Sequence, residues 1–515
     1  MKYPIGIQDF ESLRKDNYLY VDKTRIIHNL VSKGRYYFLG RPRRFGKSLL
    51  ISTLKAYFEG KKELFHGLAM EQLEQEWRVH PVLRLDLNTE KYDSIDSVDK
   101  KLDREFKVWE NLYGTEPAET TLPMRLEGII QRAYEKTGER VVILVDEYDK
   151  PLLQTITNKT LQDEFRATLK AVYGALKSMD GCIKFALLTG VTKFGQVSVF
   201  SDLNNLNDIS MDSRFDEICG ITESELVHYF DSDIVALAQN NKQTKEEAYK
   251  ELASRYDGYH FSETCSGLYN PFSLLNTLEK LTYRDYWFAT GTPTYLVELL
   301  KKSDFQLENI SGAEVDSDVL NSIHCADINP ISVLFQSGYL TIKGYDKEFG
   351  LLTLDYPNEE VKQGFIKFIM PYYVYCRSVE HKSVIRDFII SLRNGDANRF
   401  MQLMQSLMAG IPYELVRELE NHYQNVMYII TKLMGFYVQA EYRTSNGRID
   451  LLIGTDDYVY IIELKFEGSA KDALEQINNK DYSLPFNTTG KQIIKIGANV
   501  SKETRNIDEW IVDKN

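Results

Sequence analysis

The sequence predicts an α/β protein whose first part is built on a mostly parallel sheet. Strand-like apolar runs alternate with helical patterns from the start of the chain to about residue 215, and this alternation is typical of βαβ units. The apolar run Tyr36–Leu39 is followed by a short loop and by a helical pattern over Leu49–Phe58. A second run, Val141–Val145, is continuously apolar and rich in β-branched residues, which is typical of a strand buried on both faces.

The loop after the first run has the pattern of a phosphate-binding loop. Gly46, Lys47 and Ser48 stand between strand and helix, as in the strand–loop–helix unit of a P-loop. In that unit backbone N–H groups and the helix N-terminus hold phosphates, the lysine reaches the β- and γ-phosphates, and the serine hydroxyl ligates Mg²⁺. A chance Gly-Lys-Ser is the alternative, because Arg41 occupies the position of the first P-loop glycine and the nearest glycine is Gly40.

Two acidic residues, Asp146 and Glu147, directly follow the second run. Because α/β folds bind ligands at the carboxyl ends of parallel strands, Asp146 is predicted to hold the Mg²⁺ shell and Glu147 to orient or deprotonate an attacking water. An ordinary acidic strand end is the alternative, but the order and context of the two elements favour a nucleotide-binding domain. The residues of the loop and helix that we expect to contact the nucleotide are Gly40, Arg41, Arg44, Gly46, Lys47, Ser48 and Leu49.

Other elements complete this first part and lead into helical regions. Further strands are predicted at Val82–Leu87 and Ile183–Leu188, and helices near Ser97–Leu112, Pro123–Lys136 and Leu161–Ser178. From 216 to 345 the pattern is mainly helical and ends near a hairpin formed by Gly338–Ile342 and Leu351–Leu354, and residues 360 to 410 are again helical. The 515 residues suit two to four domains. The predicted division is therefore 1–215, 216–345, 346–410 and 411–515.

The net charge, the cysteines and the lengths of the apolar runs argue against several classes of protein. The net charge of −13 argues against a uniformly basic surface, although a local basic groove can still bind nucleic acid. The five cysteines are scattered and form no Cys-x-x-Cys pair, which predicts neither a disulfide framework nor a zinc site. The N-terminus lacks the apolar core of a signal peptide, and no run has the length of a membrane-spanning helix. We therefore expect a cytoplasmic protein with no membrane contact.

The last hundred residues have a pattern of their own, with the order α-β-β-β-α-β. The predicted elements are a helix at Glu414–Met434, strands at Tyr437–Arg443, Arg448–Ile453 and Tyr458–Lys465, a helix at Ala470–Tyr482 and a strand at Gln492–Ile496. Asp450 lies on the second of these strands, and Glu463 and Lys465 end the third. Because side chains alternate along a strand, Glu463 and Lys465 share a face, and Asp450 can approach them if the two strands are neighbours.

Two carboxylates and a lysine that converge in this way suit phosphodiester cleavage. The carboxylates Asp450 and Glu463 would bind Mg²⁺, while Lys465 would position a water and stabilise negative charge. An exposed Glu/Lys pair on a half-buried strand is the alternative. Glu420, on the preceding helix, is a candidate fourth member of the group. On the following helix Gln476, Lys480 and Tyr482 either contact substrate phosphate or face solvent.

Several segments resemble the signatures of the bacterial AAA-ATPase-like family. The resemblance rests on the segments Tyr20–Thr24 (YVDKT), Arg41–Ser48 (RPRRFGKS), Val145–Leu152 (VDEYDKPL), Tyr256–Tyr259 (YDGY), Tyr269–Phe272 (YNPF) and Tyr286–Gly291 (YWFATG). From about residue 410 onward the chain is similar to the PD-(D/E)XK nuclease superfamily domain that commonly accompanies that family. Arg41 in place of the first P-loop glycine is usual for the family.

The resemblance implies a fold and a set of site residues. The fold is an AAA-type P-loop core with a helical or winged-helix lid, followed by a restriction-endonuclease-like α/β domain, and the cofactors are ATP and Mg²⁺. AAA-type proteins place a polar sensor of the γ-phosphate where this chain has Thr189, although a surface threonine is the alternative. They also often use a neighbouring subunit's arginine, so a homo-oligomer is plausible. Arg43 and Arg44 would either stabilise transferred charge or bind DNA beside the loop, and Arg214 and Arg255 would act in cis or in trans. His28, His260 and His324 lack metal-ligand spacing, which favours packing or surface roles.

Three functions fit these patterns. The first is an enzyme that binds and hydrolyses ATP and uses Mg²⁺ to cut nucleic acid, with DNA the expected partner and the nucleotide as regulator. The second is a P-loop switch whose C-terminal domain binds nucleic acid or a partner protein without cutting it. The third is a signalling or defence ATPase whose nuclease acts only when triggered. The complete set of Asp450, Glu463 and Lys465 favours an enzyme over a binding module.

Overall fold

A computed structural model defines the architecture. It describes residues 2–156, 158–193, 205–288, 294–303, 305–321, 329–373, 381–409, 419–435, 439–441, 450–488 and 490–514. The chain divides into two compact units, one comprising residues 1–299 and 311–362 and the other residues 300–310 and 363–515. The finer division into four regions stays a prediction. Within the described residues, no helix is both long enough and apolar enough to cross a bilayer.

The elements of the first unit alternate as the sequence predicts. Its helices are α1 (Phe10–Lys15), α2 (Thr24–Lys33), α3 (Lys47–Phe58), α4 (Ala69–Leu73), α5 (Ser97–Tyr113), α6 (Leu122–Thr137), α7 (Lys150–Gln154), α8 (Lys159–Ser178), α9 (Glu223–Asn240), α10 (Lys245–Tyr256), α11 (Pro271–Lys280), α12 (Thr294–Lys302, which enters the second unit), α13 (Ser317–Asn321) and α14 (Pro330–Gln336). Its strands are β1 (Tyr36–Gly40), β2 (Val82–Asp86), β3 (Val141–Asp146), β4 (Ile183–Gly190), β5 (Asn207–Asp208), β6 (Ala313–Asp316), β7 (Thr341–Asp346) and β8 (Leu351–Asp355).

The main sheet of this unit is parallel throughout, which confirms the predicted class. Its strand order is β2-β3-β4-β1-β5. The strands β1, β3 and β4 are almost wholly buried, because their apolar runs have no polar face that could be exposed to water. In the register of the sheet Asp86 lies beside Asp146, and Leu39 beside Thr189. The carboxyl ends of β1, β2, β3 and β4 therefore meet at one edge.

Helices and a small sheet complete the first unit. Capping boxes start α9 at Thr222 and α10 at Thr244, so their first N–H groups are satisfied locally. Leucine, isoleucine and aromatic side chains of α9, α10 and α11 form one buried cluster. The predicted hairpin is present as β7 and β8, and β6 pairs with β8 to give a three-stranded antiparallel sheet. The short strands β5 and β6 have no counterpart in the sequence prediction.

The second unit contains a mixed sheet flanked by helices. After α15 (Glu359–Tyr373), which crosses from the first unit, come α16 (His381–Arg393), α17 (Ala397–Ala409), α18 (Leu419–Met434), β9 (Gln439–Glu441), β10 (Leu451–Gly454), β11 (Tyr458–Phe466), α19 (Ala470–Asn479), β12 (Gln492–Ser501) and β13 (Asn506–Lys514). The strand order is β13-β12-β11-β10-β9, in which only the β11–β12 pairing is parallel.

The second unit differs from the prediction in several details. The helix predicted to end at Tyr482 ends at Asn479, the strand predicted to end at Ile496 continues to Ser501, and β13 was not predicted. Part of the predicted strand Tyr437–Arg443 lies outside the described residues. The helix α19 packs closely on β12 at Gly497, where an added Cβ would lie 2.3 Å from the carbonyl oxygen of Ala470. Glycine is therefore required at this crossing because any side chain would meet the helix backbone.

Candidate functional site

The loop between β1 and α3 has the geometry of a phosphate-binding loop. Gly46 is the N-cap of α3 and has a φ of 101°, a conformation that disfavours residues with a Cβ. Lys47 and Ser48 are the first two residues of the helix, so their backbone N–H groups are among those that no helical carbonyl satisfies. Sequence order alone thus places a positive helix end, a lysine and a hydroxyl at the carboxyl edge of the sheet.

The Lys47 ammonium is held by the loop that carries it. Its Nζ donates to the carbonyl oxygens of Arg41 at 2.8 Å and of Pro42 at 3.0 Å. The residue is only 5% exposed, and no carboxylate lies within ion-pair distance of Nζ in the described part of the chain. A buried cation held only by neutral acceptors keeps its full charge for an anion.

A cavity of about 390 Å³ opens beside this loop. Its wall includes the four cationic residues Arg43, Arg44, Lys47 and Lys150 and one acidic residue, Glu147, together with Gly46, Ser48, Leu49 and Asn88. This excess of positive charge suits a polyanion. An apolar pocket of about 100 Å³ shares Phe45, Gly46 and Leu49 with the cavity and is otherwise lined by residues such as Tyr20, Ile27 and Ile221.

Asp146 and Thr189 form a buried pair at the ends of β3 and β4. The hydroxyl of Thr189 donates to Oδ1 of Asp146 at 2.8 Å, which leaves Oδ2 outside that bond. Both residues are buried. The predicted sensor threonine therefore contacts the predicted metal-binding carboxylate directly and does not line the cavity.

Glu147 lies in the cavity wall with an unusual backbone conformation. Its φ is 51°, which is uncommon for a residue other than glycine, and strained backbone of this kind clusters at functional sites. Burial raises the pKa of its carboxyl, Lys47 and Lys150 oppose this effect, and Asp149 reinforces it. A carboxylate with a raised pKa accepts a proton more readily, as a general base requires.

Two predicted loop contacts are corrected by the structure. The Arg41 guanidinium is 1% exposed and lies away from the cavity of Lys47. It donates to the carbonyl oxygens of Ser210 at 2.7 Å and Phe215 at 3.1 Å, and its Cζ lies 4.0 Å from the ring centroid of Phe261. Gly40 likewise lies away from the cavity, and its N–H donates to the Ser210 hydroxyl at 2.8 Å. Both residues fix the loop to a neighbouring segment, because buried donors must find acceptors.

Other predicted residues fall in three groups. Arg44, Ser48 and Leu49 line the cavity, and the Arg44 guanidinium lies over the ring of Phe272. The side chains of Arg214 and Arg255 are paired with Asp212 and Glu251. His324 lies outside the described residues.

The second unit brings the predicted nuclease residues together. The strands β10 and β11 pair antiparallel with Leu451 opposite Ile462, which places Asp450 beside the end of β11. The N–H of Leu464 donates to Oδ2 of Asp450 at 2.8 Å. Lys465 Nζ lies 3.7 Å from Oε1 of Glu463. Gln476 on α19 joins them, because its amide donates to Glu463 and accepts from Lys465.

Glu463 has a buried carboxylate oxygen that lacks a partner. The residue is 3% exposed, and its Oε2 has no hydrogen-bond partner among the described residues. Burial, and then the neighbouring charge of Asp450, raises the pKa of Glu463 to about 7. A buried oxygen without a donor is costly in free energy, and two adjacent carboxylates are the ligands that Mg²⁺ prefers. The residues present therefore fit a divalent cation held by Asp450 and Glu463.

Three further residues belong to the predicted group. Glu420 belongs to α18, but its side chain lies outside the described residues. Lys480 is the C-cap of α19, and Tyr482 is buried against a cluster that includes Val459 and Ile461. Tyr482 is thus a packing residue, because its ring fills the interior beside the sheet. Sequence reasoning missed Asn88 and Lys150, although Lys150 lies within a quoted motif.

Comparisons with known proteins identify the family of this chain. Residues 4–200 match the family model described as a predicted AAA-ATPase, and residues 418–510 match the PD-(D/E)XK nuclease superfamily. The chain is 35% identical over 530 residues to a protein of Azotobacter chroococcum mcd 1 called "Uncharacterized protein in vnfD 5'region", and 99% of each chain is covered. No solved structure matches the chain. The chain therefore belongs to the predicted AAA-ATPase family and also carries a PD-(D/E)XK nuclease superfamily domain.

Proposed function

We propose that this protein binds and hydrolyses ATP in its first unit and cuts nucleic acid, with DNA the expected substrate, in its second. The observation that supports ATP binding best is the cavity beside the P-loop. Four cationic side chains line it and only one acidic side chain does, which matches the charge of a triphosphate. The adjoining apolar pocket suits a nucleobase, because such pockets exclude water from flat apolar surfaces.

Each residue of the first unit's site has its own role in the proposed ATP hydrolysis. Lys47 and the N-terminal N–H groups of α3 bind the phosphates, and Glu147 takes a proton from the attacking water. Ser48 and Asp146 would hold Mg²⁺, and Thr189 orients the Asp146 carboxylate. When bound, Mg²⁺ in either unit supplies positive charge to a phosphoryl oxygen.

The residues of the second unit support phosphodiester cleavage. Asp450 and Glu463 would hold the cation there, and Lys465 would position a water or stabilise the charge that develops on a phosphate oxygen. Gln476 fixes Lys465 and Glu463 relative to each other through its amide group.

The test is incubation of the purified full-length protein with plasmid and with single-stranded DNA, with Mg²⁺, in the presence and absence of ATP. We expect cleavage that Asp450→Ala and Glu463→Ala abolish and that EDTA stops. Lys465→Ala should slow cleavage and leave Mg²⁺ binding in place. If the wild-type protein binds DNA and never cuts it, a P-loop switch with a binding module replaces the nuclease.

A further inference from the structure

Lys150 is the first residue of α7 and follows β3 by four positions. It has no step in the ATP hydrolysis proposed for the first unit. Its backbone N–H donates to the carbonyl oxygen of Glu147 at 3.1 Å, so the two residues belong to one tight turn. We propose that Lys150 contacts the γ-phosphate from within the same chain during hydrolysis, and that Asn88 holds it in position. This inference rests on the proposed ATP hydrolysis and names a further catalytic residue for it.

The position of Lys150 is the first argument. It lines the same cavity as Lys47, Ser48 and Glu147, yet it comes from a different element of the fold. Lys47 rises from the loop after β1, whereas Lys150 follows β3. A phosphate group in the cavity can therefore meet cations from two separate parts of the sheet edge, as phosphoryl transfer requires when charge spreads over several oxygens.

The partner of Lys150 is the second argument. Its Nζ donates to Oδ1 of Asn88 at 3.0 Å, and no carboxylate lies within ion-pair distance of it in the described residues. A neutral amide oxygen fixes the ammonium and leaves its charge and its other N–H groups for a ligand.

The placement of Asn88 is the third argument. Its own N–H donates to Oδ1 of Asp86 at 2.9 Å, so a tight turn holds it just beyond β2. The strands β2 and β3 are paired in parallel with Asp86 beside Asp146. Asn88 and Lys150 therefore emerge from neighbouring strands at the edge where Asp146 and Glu147 lie.

The chemical step needs such a cation. The water oxygen forms a bond to the γ-phosphorus while the bond from that phosphorus to the β,γ-bridging oxygen breaks. The electron pair of the broken bond passes to ADP, and the water proton passes to Glu147. Lys150 offsets the negative charge on the phosphoryl oxygens as this happens, which is the role that an arginine finger plays when another chain supplies it.

The test compares five variants of the full-length protein, measuring ATP affinity by calorimetry and steady-state ATP hydrolysis at several protein concentrations. The variants are Lys150→Met, Lys150→Arg, Asn88→Ala, Lys47→Ala and, as a matched control, Lys159→Met, whose exposed lysine lies on α8 outside the cavity. We expect Lys150→Met to lower kcat about 100-fold, as the loss of one preorganised donor does elsewhere, and to weaken ATP binding far less than Lys47→Ala does. Lys150→Arg should recover part of the rate, and Asn88→Ala should lower kcat less than Lys150→Met does.

The outcomes separate this inference from the function on which it rests. If Lys47→Ala loses ATP binding, that result supports the P-loop assignment whatever the result for the Lys150 variants. If Lys150→Met then hydrolyses ATP as fast as Lys159→Met, or if it loses affinity as fully as Lys47→Ala, the inference is overturned. A wild-type kcat that rises with protein concentration would also overturn it, because the cation would then come from a second chain.

Discussion

The buried charged residues of the first unit have partners of different kinds. Lys47 is held by carbonyl oxygens, Asp146 by a hydroxyl, and Glu360 by a hydroxyl and an N–H group. None of the partners of these three residues carries a charge. Neutral partners do not cancel a charge. A buried residue of this kind can therefore bind a charged ligand, or its protonation can change with pH.

Lys47 and Glu147 should fail in different ways. Lys47→Ala removes the cation that offsets phosphate charge, so ATP affinity should fall below detection. Glu147→Gln keeps the shape of the side chain but cannot take a proton, so binding should persist while turnover falls by at least about 100-fold. Calorimetry and a phosphate-release assay measure the two properties. Unchanged ATP affinity in Lys47→Ala would contradict the P-loop assignment.

Glu360 should make the first unit sensitive to pH. Burial raises the pKa of its carboxyl from 4.5 to about 8, and its Oε1 accepts from the Ser273 hydroxyl at 3.0 Å and the Trp287 N–H at 2.8 Å. The folded state thus binds a proton that the unfolded state has released between these two pH values. Stability should therefore fall as pH rises from about 4.5 to about 8, by up to about 1.4 kcal/mol per pH unit.

Glu360→Gln tests that dependence. Glutamine keeps an Oε1 acceptor and cannot ionise, so the variant should lose this part of the pH dependence and melt at a higher temperature than the wild type near pH 8. Thermal unfolding at pH 5, 6, 7 and 8 measures the effect. Parallel pH curves for the two proteins would show that Glu360 does not titrate in this range.

At the scale of elements, the strands and helices that could be predicted are those with strong local sequence patterns. The runs Tyr36–Leu39 and Val141–Val145 are apolar at every position, and the run Ile183–Leu188 is apolar except at Lys184. The assignment of all three as strands is confirmed. The strand β13 was missed because its sequence mixes charged and apolar residues, and only pairing with β12 defines it. Likewise Lys150 and Asn88 lie far apart in sequence, and only the parallel pairing of β2 and β3 reveals their contact.

The crossing of α19 over β12 should tolerate no side chain at Gly497. In Gly497→Ala the new Cβ would approach the backbone of Ala470 and Leu474, so the helix must move and the second unit should lose stability. We expect a lower melting temperature for this unit and an unchanged ATP affinity. Gly174→Ala in α8 is the control, since nothing lies within 4 Å of its added Cβ, and it should stabilise the protein by about 0.5–1 kcal/mol. Equal melting temperatures for the two variants would contradict the close packing.

At the scale of the whole molecule, one chain carries the two sets of residues that we propose for ATP hydrolysis and for phosphodiester cleavage. Each set lies in its own compact unit. If the chain has both proposed activities, an uncontrolled nuclease would damage the DNA of its own cell, and the ATPase in the same chain would be a natural regulator. Regulation requires that the nucleotide favour one arrangement of the chain over another, because tight binding alone changes no equilibrium between arrangements.

Nuclease activity should therefore depend on the nucleotide state. We expect different cleavage rates without nucleotide, with ADP, with ATP, and with ATP bound to Glu147→Gln, which holds the state before hydrolysis. Gel-based cleavage assays under single-turnover conditions measure the four rates. Four identical rates would mean that the two units act independently.

The burial of Arg41 has a consequence for protein engineering. A common way to stabilise a protein is to replace an atypical residue by the one most frequent in a broad motif, and here that choice would put glycine at position 41. The Arg41 guanidinium, however, fastens the loop to Ser210 and Phe215 and covers the ring of Phe261. Arg41→Gly would remove this attachment and leave those carbonyl oxygens without a donor. Arg41 thus holds the loop in place by contacts that the common motif lacks. A consensus design that replaced it by glycine would weaken the protein at the site it meant to improve.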